Sequence, residues 1–479
     1  MTHYISNQVL VLEQIEALIE SNSQLKLSEE ALLNIQKCQH FLQNACNTPP
    51  LQYLTQLEGK QHQLLRNYAC GIGSKLPNHI VKLMLLLKIQ SLSYGYSGVR
   101  LEVVQRLIDF YNQEVYPVVY TKDIPDERIA LAHLSLPLFG EGEVSIQQKT
   151  YAAQELQAKY GWQPLSLTPR EAEALINGTQ LTTAYCAYNL IKALKIIQWA
   201  DIVASISTQV FGGSLTNFSP AIQIVRPHKG LIETTEHLRN LLSTHTAPAE
   251  NNDFKILPEA FSSIPQIHGA VRETIASIRK VIKTEINSAT DNPILFHENK
   301  EVIFGGNSHT LPLSLSMDFL AITLTSLGNI SERRVFYLIT KHQEQSELIE
   351  YPIFQRIIEG ILNENRRLST PSSIESPILF EKSIDIKGMG GSAAVKCEQI
   401  IRNIEQILAI ELILAASVWN LRTEVAHTPV STLGKIFRST FLPLKSAKAT
   451  SFNSLVTQVK LVAVEPTSGR LPAVCAGCS

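Results

Sequence analysis

The chain has 479 residues, of which 44% are hydrophobic and 18% are charged, a balance typical of a globular protein with a large buried core. A formal net charge of −1 gives no reason to expect a nucleic acid or an acidic membrane as a partner. The sequence has no run of about 18 uncharged apolar residues and no basic-then-apolar start, so neither a membrane span nor a secretory signal is expected. The odd, scattered set of seven cysteines indicates reduced thiols and a cytoplasmic protein.

Apolar residues recur three and four positions apart along most of the chain, which predicts a mainly α fold. The segments with this pattern are residues 8–19, 29–44, 79–92, 101–112, 181–203, 271–286, 311–338 and 395–421. Residues 311–338 are apolar on most of the helix circumference up to Ser331, so we expect them in the centre of a bundle or an oligomer. Alternating patterns are sparse, and residues 118–120 and 293–302 are the two candidate strands.

The pattern of long helices suggests how the chain is divided. A soft boundary near Ala200 separates residues 1–200 from residues 201–465, where the long helices would form a bundle-like part. Residues 466–479 are rich in proline and glycine, which predicts a flexible tail.

Short motifs recur in one order between residues 63 and 422. They read SLSYGYSGVR (91–100), IALAH (129–133), PREAEALINGTQ (169–180), RPH (226–228), EINSATDNP (285–293), GGNSH (305–309) and ISERR (330–334). Together they resemble the aromatic amino acid ammonia-lyases, the family of histidine, phenylalanine and tyrosine ammonia-lyases. This resemblance implies a histidine ammonia-lyase-like helical fold with a central bundle of long helices. It also implies a homotetramer whose active sites each take residues from three subunits.

The sequence departs from this family in the loop that carries the family's reagent. In the family, an Ala-Ser-Gly tripeptide in this loop cyclises into a methylidene-imidazolone electrophile. Here residues 121–128 read TKDIPDER, and Ala-Ser-Gly occurs nowhere in the chain. The loop is also shorter than the family's. We therefore expect no methylidene-imidazolone, no other cofactor and no metal, and we treat Asp126, Glu127 and Arg128 as the remnant of the electrophile loop.

Other family positions have changed with the loop. Tyr53 is the only tyrosine in the shortened segment 46–61, where the family has its tyrosine base. Glu259-Ala-Phe-Ser262 replaces the family's Tyr-Ser-Leu-Arg ahead of Pro265-Gln266, which removes a tyrosine and an arginine. The segment that carries a glutamate in the family has lost it and holds Lys387 instead.

Without the electrophile, an elimination needs a better leaving group than ammonia. Ergothionases, which are relatives without the electrophile, act on a trimethylammonium betaine that leaves as trimethylamine. By this precedent Tyr53 is the candidate base, and Lys387 is the candidate for binding the substrate carboxylate or for stabilising charge on a ring. The candidate carboxylates facing a cation are Asp123, Asp126, Glu127 and Glu259. The substrate-binding candidates match family positions: Asn177, Gln180, Gln266, Asn287, Asn307 and His309.

Each candidate also has a structural interpretation. Asp126, Glu127 and Arg128 are expected to start and cap the helix that contains His133, because acidic residues favour a helix N-terminus. Asn287 and Asp291 would bond to the backbone where the chain turns into Pro293.

Three functional hypotheses follow from the same residues. The first is a carbon–nitrogen lyase that works without the electrophile on a small aromatic or amino-acid-derived substrate. The second is a non-catalytic binding or regulatory subunit that completes the pocket of an active paralogue. The third is the same fold used for a cyclisation or an addition.

Overall fold

A computed structural model describes residues 2–21, 23–45, 60–121, 125–168, 170–213, 215–242, 256–342, 351–375 and 386–420. Two predicted site residues, Tyr53 and Asp123, lie outside these ranges, as does the predicted tail. The described chain is mainly helical, which confirms the predicted fold class. Its helices are α1 (Leu12–Glu20), α2 (Glu29–Ala45), α3 (Gln61–Tyr68), α4 (Asn78–Ser93), α5 (Leu101–Asn112), α6 (Glu127–Ser135), α7 (Glu155–Tyr160), α8 (Glu171–Ile176), α9 (Gln180–Phe211), α10 (Ala221–Val225), α11 (Lys229–Leu242), α12 (Glu259–Ser262), α13 (Ile264–Glu285), α14 (Leu311–His342), α15 (Tyr351–Leu368) and α16 (Gly390–Asn420).

Short strands connect some of these helices. They are β1 (Thr2–Ile5), β2 (Gln24–Leu27), β3 (Tyr116–Pro117), β4 (Glu143–Ile146), β5 (Lys149–Ala152), β6 (Ile294–Phe296) and β7 (Glu301–Ile303). β1 pairs in parallel with β2, while β3, β4 and β5 form an antiparallel sheet in that order, and β6 pairs antiparallel with β7.

Both predicted strands were placed incorrectly. Residues 118–120 are not a strand; Val118 and Val119 are buried side by side, and Tyr120 makes only an isolated bridge to Lys75. Their apolar character reflects burial on both sides of the chain. Residues 293–302 form the hairpin β6–β7 because residues 297–300 turn the chain back, with Lys300 in the left-handed region at φ 55°.

The chain divides into two compact units, each assembled from three stretches of sequence. The first unit contains Met1–Ile191, Ile278–Asp318 and Pro371–Glu398, and the second contains Lys192–Ser277, Phe319–Thr370 and Gln399–Ser479. The boundary that the sequence suggested near Ala200 stays a prediction.

Helix α4 is the core helix of the first unit, and every residue from Ile80 to Ser93 is buried. Two lysines are buried with it, and each ammonium group donates to backbone carbonyls. Lys82 donates to the carbonyls of Ile19 and Ser21, and Lys88 to two carbonyls at the end of α8. These bonds offset the cost of taking charged groups out of water.

Helix α14 is the long apolar helix that the sequence predicted. It is long and apolar enough to cross a membrane by length and composition alone, and 61% of its most apolar window is buried within the protein. Such a helix is weak support for a membrane span, because core helices of globular proteins share these properties. One side of it stays uncovered: Leu311, Leu315, Phe319 and Ile322 are exposed, at the spacing of a single helix face.

Candidate functional site

A cavity of about 660 Å³ lies in the first unit. Its wall is formed by the end of α3, residues 125–129, residues 176–178, residues 305–310 without Asn307, and residues 386–391, together with Asn292. The volume is in the range of sites for small molecules.

Several helices begin at this cavity. Residues at or just before the first turns of α6, α9, α14 and α16 line its wall: Asp126, Gly178, Thr310 and Gly390. The first N–H groups of a helix have no partner within the helix and carry partial positive charge. Asp126 and Glu127 already accept the N–H groups at the starts of α6 and α9, so the starts of α14 and α16 are the ones electrostatically suited to a further anionic group, such as a substrate carboxylate.

Asp126 caps α6, as the sequence predicted. Its Oδ1 accepts hydrogen bonds from the N–H groups of Arg128 (3.0 Å) and Ile129 (3.2 Å). Its Oδ2 accepts from Lys387 Nζ at 2.6 Å, and the two side chains retain 23% and 28% of their exposure. All three donors act on one carboxylate, which fixes its position beside the cavity.

Glu127 is the first residue of α6, but its carboxylate caps a different helix. Oε1 accepts from the N–H of Thr182 (2.8 Å) and Oε2 from the N–H of Leu181 (3.0 Å), at the start of α9. Burial raises the pKa of Glu127 to about 7; the bonds from Thr182 and Leu181 oppose this shift, and the charge of Asp126 adds to it. The residue still faces the cavity, so a carboxyl group that changes protonation near neutral pH lies in its wall.

Tyr68 and Arg128 form a second polar pair in the wall. Arg128 Nη1 donates to the hydroxyl oxygen of Tyr68 at 2.8 Å, and the guanidinium carbon lies 5.5 Å from the centre of the tyrosine ring. A guanidinium at this oxygen stabilises negative charge on it. Sequence reasoning missed Tyr68, because nothing in the sequence distinguishes it from the other tyrosines until Arg128 is brought to it.

Two predicted substrate-binding residues line the cavity. Asn177 Nδ2 donates to the carbonyl of Asn292 at 2.7 Å. His309 Nδ1 accepts from the N–H of Leu311 at 3.3 Å, next to the start of α14.

Three other predicted amides lie in the first unit but not in the cavity wall. Their partners are Thr290 Oγ1 for Gln180 (3.1 Å), the carbonyl of Ala289 for Asn307 (2.7 Å), and the N–H and carbonyl of Leu10 for Asn287 (2.7 and 2.9 Å). Their substrate-binding roles stay predictions, and their bonds tie loops to the scaffold.

Arg170 anchors the segment behind the cavity. It is fully buried, adopts a left-handed φ of 74°, and donates to the carbonyls of Ser97 and Pro293 and to Asp291 Oδ2 (3.0 Å). Asp291 Oδ1 in turn accepts from the N–H of Asn292 at 2.7 Å, which confirms its predicted bond to the backbone ahead of Pro293. This arrangement fixes the chain that carries Asn292 into the wall.

Lys88 supports the adjoining part of the same wall, where Asn177 contacts Asn292. Its ammonium donates to the carbonyls of Ala174 and Asn177, both at 2.7 Å. Burial lowers the pKa of Lys88 to about 8, while the charges of Asp291 and Glu127 act in the other direction.

The remaining candidates do not belong to this wall. Glu259, the first residue of α12, and Gln266, in α13, are in the second unit. The structure therefore brings together Asp126, Glu127, Arg128, Asn177, His309 and Lys387. Within the described residues, no group of three or more His, Cys, Asp or Glu side chains is arranged to hold a metal ion.

The family of the chain is shown by its similarity to known proteins. A family model described as aromatic amino acid lyase matches residues 10–439. The chain belongs to the aromatic amino acid lyase family. It is 35% identical over 384 residues to a histidine ammonia-lyase of Caldanaerobacter subterraneus subsp. tengcongensis, covering 76% of this chain and 74% of that protein.

Solved structures of lyases share the fold. The crystal structure of histidine ammonia-lyase from Trypanosoma cruzi aligns with a TM-score of 0.87 at 28% identity, covering 97% of this chain and 93% of that one. The ergothionase from Treponema denticola, solved with desmethyl-ergothioneine sulfonic acid, aligns with a TM-score of 0.86 at 19% identity, covering 97% of this chain and 98% of that one. At that identity the second likeness is a likeness of fold alone.

Proposed function

We propose that this aromatic amino acid lyase eliminates a quaternary amine from a small aromatic or amino-acid-derived betaine, without a methylidene-imidazolone. The supporting observation is the arrangement of charges in one cavity. Lys387 and the starts of α14 and α16 suit a carboxylate, while Asp126, Glu127 and the Tyr68 ring suit a cation. An amino-acid betaine carries both charges on groups attached to the same carbon, Cα.

The residues that lead into α6 do not fit the family's electrophile. The tripeptide that forms it is absent from the sequence. Pro125 instead packs closely against Gly391, where a Cβ added to the glycine would lie 2.9 Å from Pro125 Cβ. Asp126 follows with a side chain held by three donors. No step of the proposed reaction therefore passes through that group.

Leaving-group chemistry connects the missing tripeptide to the substrate. Ammonia leaves an amino acid slowly without activation, whereas a trimethylammonium group departs as neutral trimethylamine and needs no proton. The protein then has to hold the carboxylate, hold the cation and accept the β-proton. For Lys387 to bind the substrate carboxylate, it must share its ammonium with Asp126, which lies 2.6 Å away.

The test is turnover on matched pairs of substrates. Trimethylated betaines of histidine, phenylalanine and tyrosine are incubated beside the parent amino acids, with release of trimethylamine or ammonia and new olefin absorbance as readouts. We expect turnover of at least one betaine and none of the amino acids. Ammonia release from an amino acid, or no turnover and no thermal shift with any compound, overturns the proposal.

Lysine variants sharpen this test. Lys387→Gln removes the proposed carboxylate partner and should raise KM for the betaine about tenfold or more, the cost of one charge-assisted hydrogen bond. Lys229→Gln is the matched control, because Lys229 is a lysine in the second unit that is 75% exposed. Equal kinetics for the two variants would remove Lys387 from the site.

We also propose that the chain assembles with copies of itself through the exposed face of α14. The face presents Leu311, Leu315, Phe319 and Ile322, and large apolar faces of this kind mark interfaces. Light scattering of the purified protein should give a mass above that of one chain, and Phe319→Glu should lower it. A monomeric wild type would contradict the assembly.

A further inference from the structure

We propose that Glu127 is the group that accepts the β-proton in this elimination, an inference that rests on the proposed function. The Cβ–H bond breaks and its proton passes to a carboxylate oxygen of Glu127. The electron pair of that bond forms the Cα–Cβ double bond, and the Cα–N bond breaks with its electrons on the departing trimethylamine. Glu127, now neutral, returns the proton to solvent.

The geometry of Glu127 suits a base better than that of its neighbour. The carboxylate of Asp126 is engaged by two backbone N–H groups and by Lys387, so three donors compete with a substrate proton for its oxygens. Glu127 is held at the start of α9, by the N–H groups of Leu181 and Thr182, and has no cationic partner there. An ionised carboxylate has about four lone-pair sites, so these two bonds leave acceptor capacity on a residue that lines the cavity.

The donors also fix the orientation of the group. Each oxygen of Glu127 is bonded to a different N–H of the same helix, so the plane of the carboxylate is set by α9. A base fixed in this way needs no reorganisation when the substrate arrives. His133 has a different role: its Nε2 accepts from the N–H of Gly71 at 3.1 Å, and burial lowers its pKa.

Charged and titratable groups on several elements lie near Glu127. Asp126 on α6 raises its pKa; Lys88 on α4 is the nearby buried cation, and the ammonium of Lys387 is engaged by Asp126. On α9, the buried thiol of Cys186 is neutral at ordinary pH, since burial raises its pKa. With a pKa of about 7, Glu127 is a base that is both available and regenerable near neutral pH.

The kinetic test compares Glu127→Gln with the wild type. Glutamine keeps the size of the side chain and one oxygen acceptor for α9, but it cannot take the proton. We expect kcat for the betaine to fall at least 100-fold with KM changed less than fivefold. In the wild type, log(kcat/KM) should rise with pH and level off above about 7, and the residual activity of the variant should lack this limb.

Tyr68→Phe tests the competing base in the same wall. Tyr68→Phe should keep the rise of log(kcat/KM) with pH. Loss of that rise in Tyr68→Phe overturns the assignment. A Glu127→Gln variant that keeps the rise, with kcat within tenfold of wild type, overturns it as well. If Glu127→Gln does not fold, Glu127→Asp replaces it. Shortening the side chain moves the base away from the cavity, and unchanged kcat and an unchanged limb would contradict the proposal.

Failure of the inference and failure of the proposed function give different results. A wild type that turns over betaines together with an equally active Glu127→Gln sinks only the inference. A wild type that turns over no betaine sinks both. Infrared difference spectra of wild type minus Glu127→Gln provide a readout without turnover. A protonated-carboxyl band that disappears with a midpoint near pH 7 supports the inference. Absence of that band at pH 5.5 contradicts it.

Discussion

The two units of this protein bury charged groups in opposite ways. In the second unit, Glu411 receives a forked pair of bonds from Arg334 (2.6 and 2.8 Å) and hydroxyl bonds from Ser207 and Ser331, and both charged side chains are fully buried. In the first unit, Asp126 and Lys387 pair at 2.6 Å while both remain partly exposed at a cavity. The former pair is enclosed on all sides, and the latter leaves room for a ligand.

Two buried acids show the same difference through their pKa values. Burial would raise the pKa of Asp201, but hydrogen bonds from His237 and His268 and the charge of Arg272 hold it below its usual range. The donors to Glu127, Leu181 and Thr182, carry no charge, and burial raises its pKa to about 7. Acids that are met by cations stabilise the fold, whereas an under-paired acid at a cavity is the candidate for chemistry.

The largest expected effect is in the enclosed pair. Arg334→Met leaves Glu411 buried without its cation and should destabilise the protein by about 3–5 kcal/mol, measured by urea unfolding. The double variant Arg334→Met/Glu411→Leu should recover most of the loss. A single variant that costs less than 1 kcal/mol would show that the pair is not enclosed as described.

The next effect concerns the pH dependence of stability at Glu127. Its folded pKa of about 7 is above the usual glutamate pKa of 4.5, so its contribution to stability is complete below about pH 4.5 and is lost as pH rises through about 7. Between these two pH values the free energy of unfolding of the wild type should fall by at most about 3 kcal/mol relative to that of Glu127→Gln. Chemical unfolding at pH 5 and pH 8 measures the difference; parallel curves would place Glu127 among ordinary surface carboxylates.

The stability that Asp201 contributes should change with pH in the opposite direction. Its folded pKa is depressed, so its contribution is present above its unfolded value of about 3.8 and is lost as pH falls towards the folded value. Asp201→Asn should cost about 2 kcal/mol at pH 7, as expected for lost charged hydrogen bonds, and less at pH 3. Unfolding midpoints at the two pH values provide the test, and a gap that widens in acid contradicts it.

The smallest effect on stability is expected at the cavity pair. Asp126→Asn keeps a good N-cap residue on α6 and removes only the charge that Lys387 contacts, so it should cost less than about 1 kcal/mol. Asp126→Ala also loses the cap and should cost about 1 kcal/mol more. If both variants unfold like the wild type, the cap contributes nothing. If Asp126→Asn costs as much as Arg334→Met, the comparison between the two pairs fails.

The helices could be predicted from sequence because a repeat of three and four positions is a local signal. Predicted residues 101–112 and 29–44 match α5 and α2 almost residue for residue. The strands could not, because two adjacent buried valines at 118 and 119 look like part of a strand. Asp126 was predicted as a cap from its local context, and α6 confirms it.

The cavity contacts could not be predicted in this way, since they join distant parts of the chain. Lys387 is 261 positions from Asp126, and Arg128 is 60 positions from Tyr68. The bonds of Glu127 to α9 likewise depend on packing rather than on its own helix. Motif matching indicated several of these residues individually but gave no partners for them.

Arg170 has a consequence for how this scaffold can be changed. Because a buried arginine ties residues 97, 291 and 293 together, the position of Asn292 in the cavity wall does not depend on Asp126 or Lys387. Residues 125–128 and 386–389 can then be varied as two short segments, provided that Glu127 is kept as the cap of α9. Libraries confined to those two segments should yield folded proteins with new specificities, whereas libraries that include Arg170 should yield mostly insoluble chains.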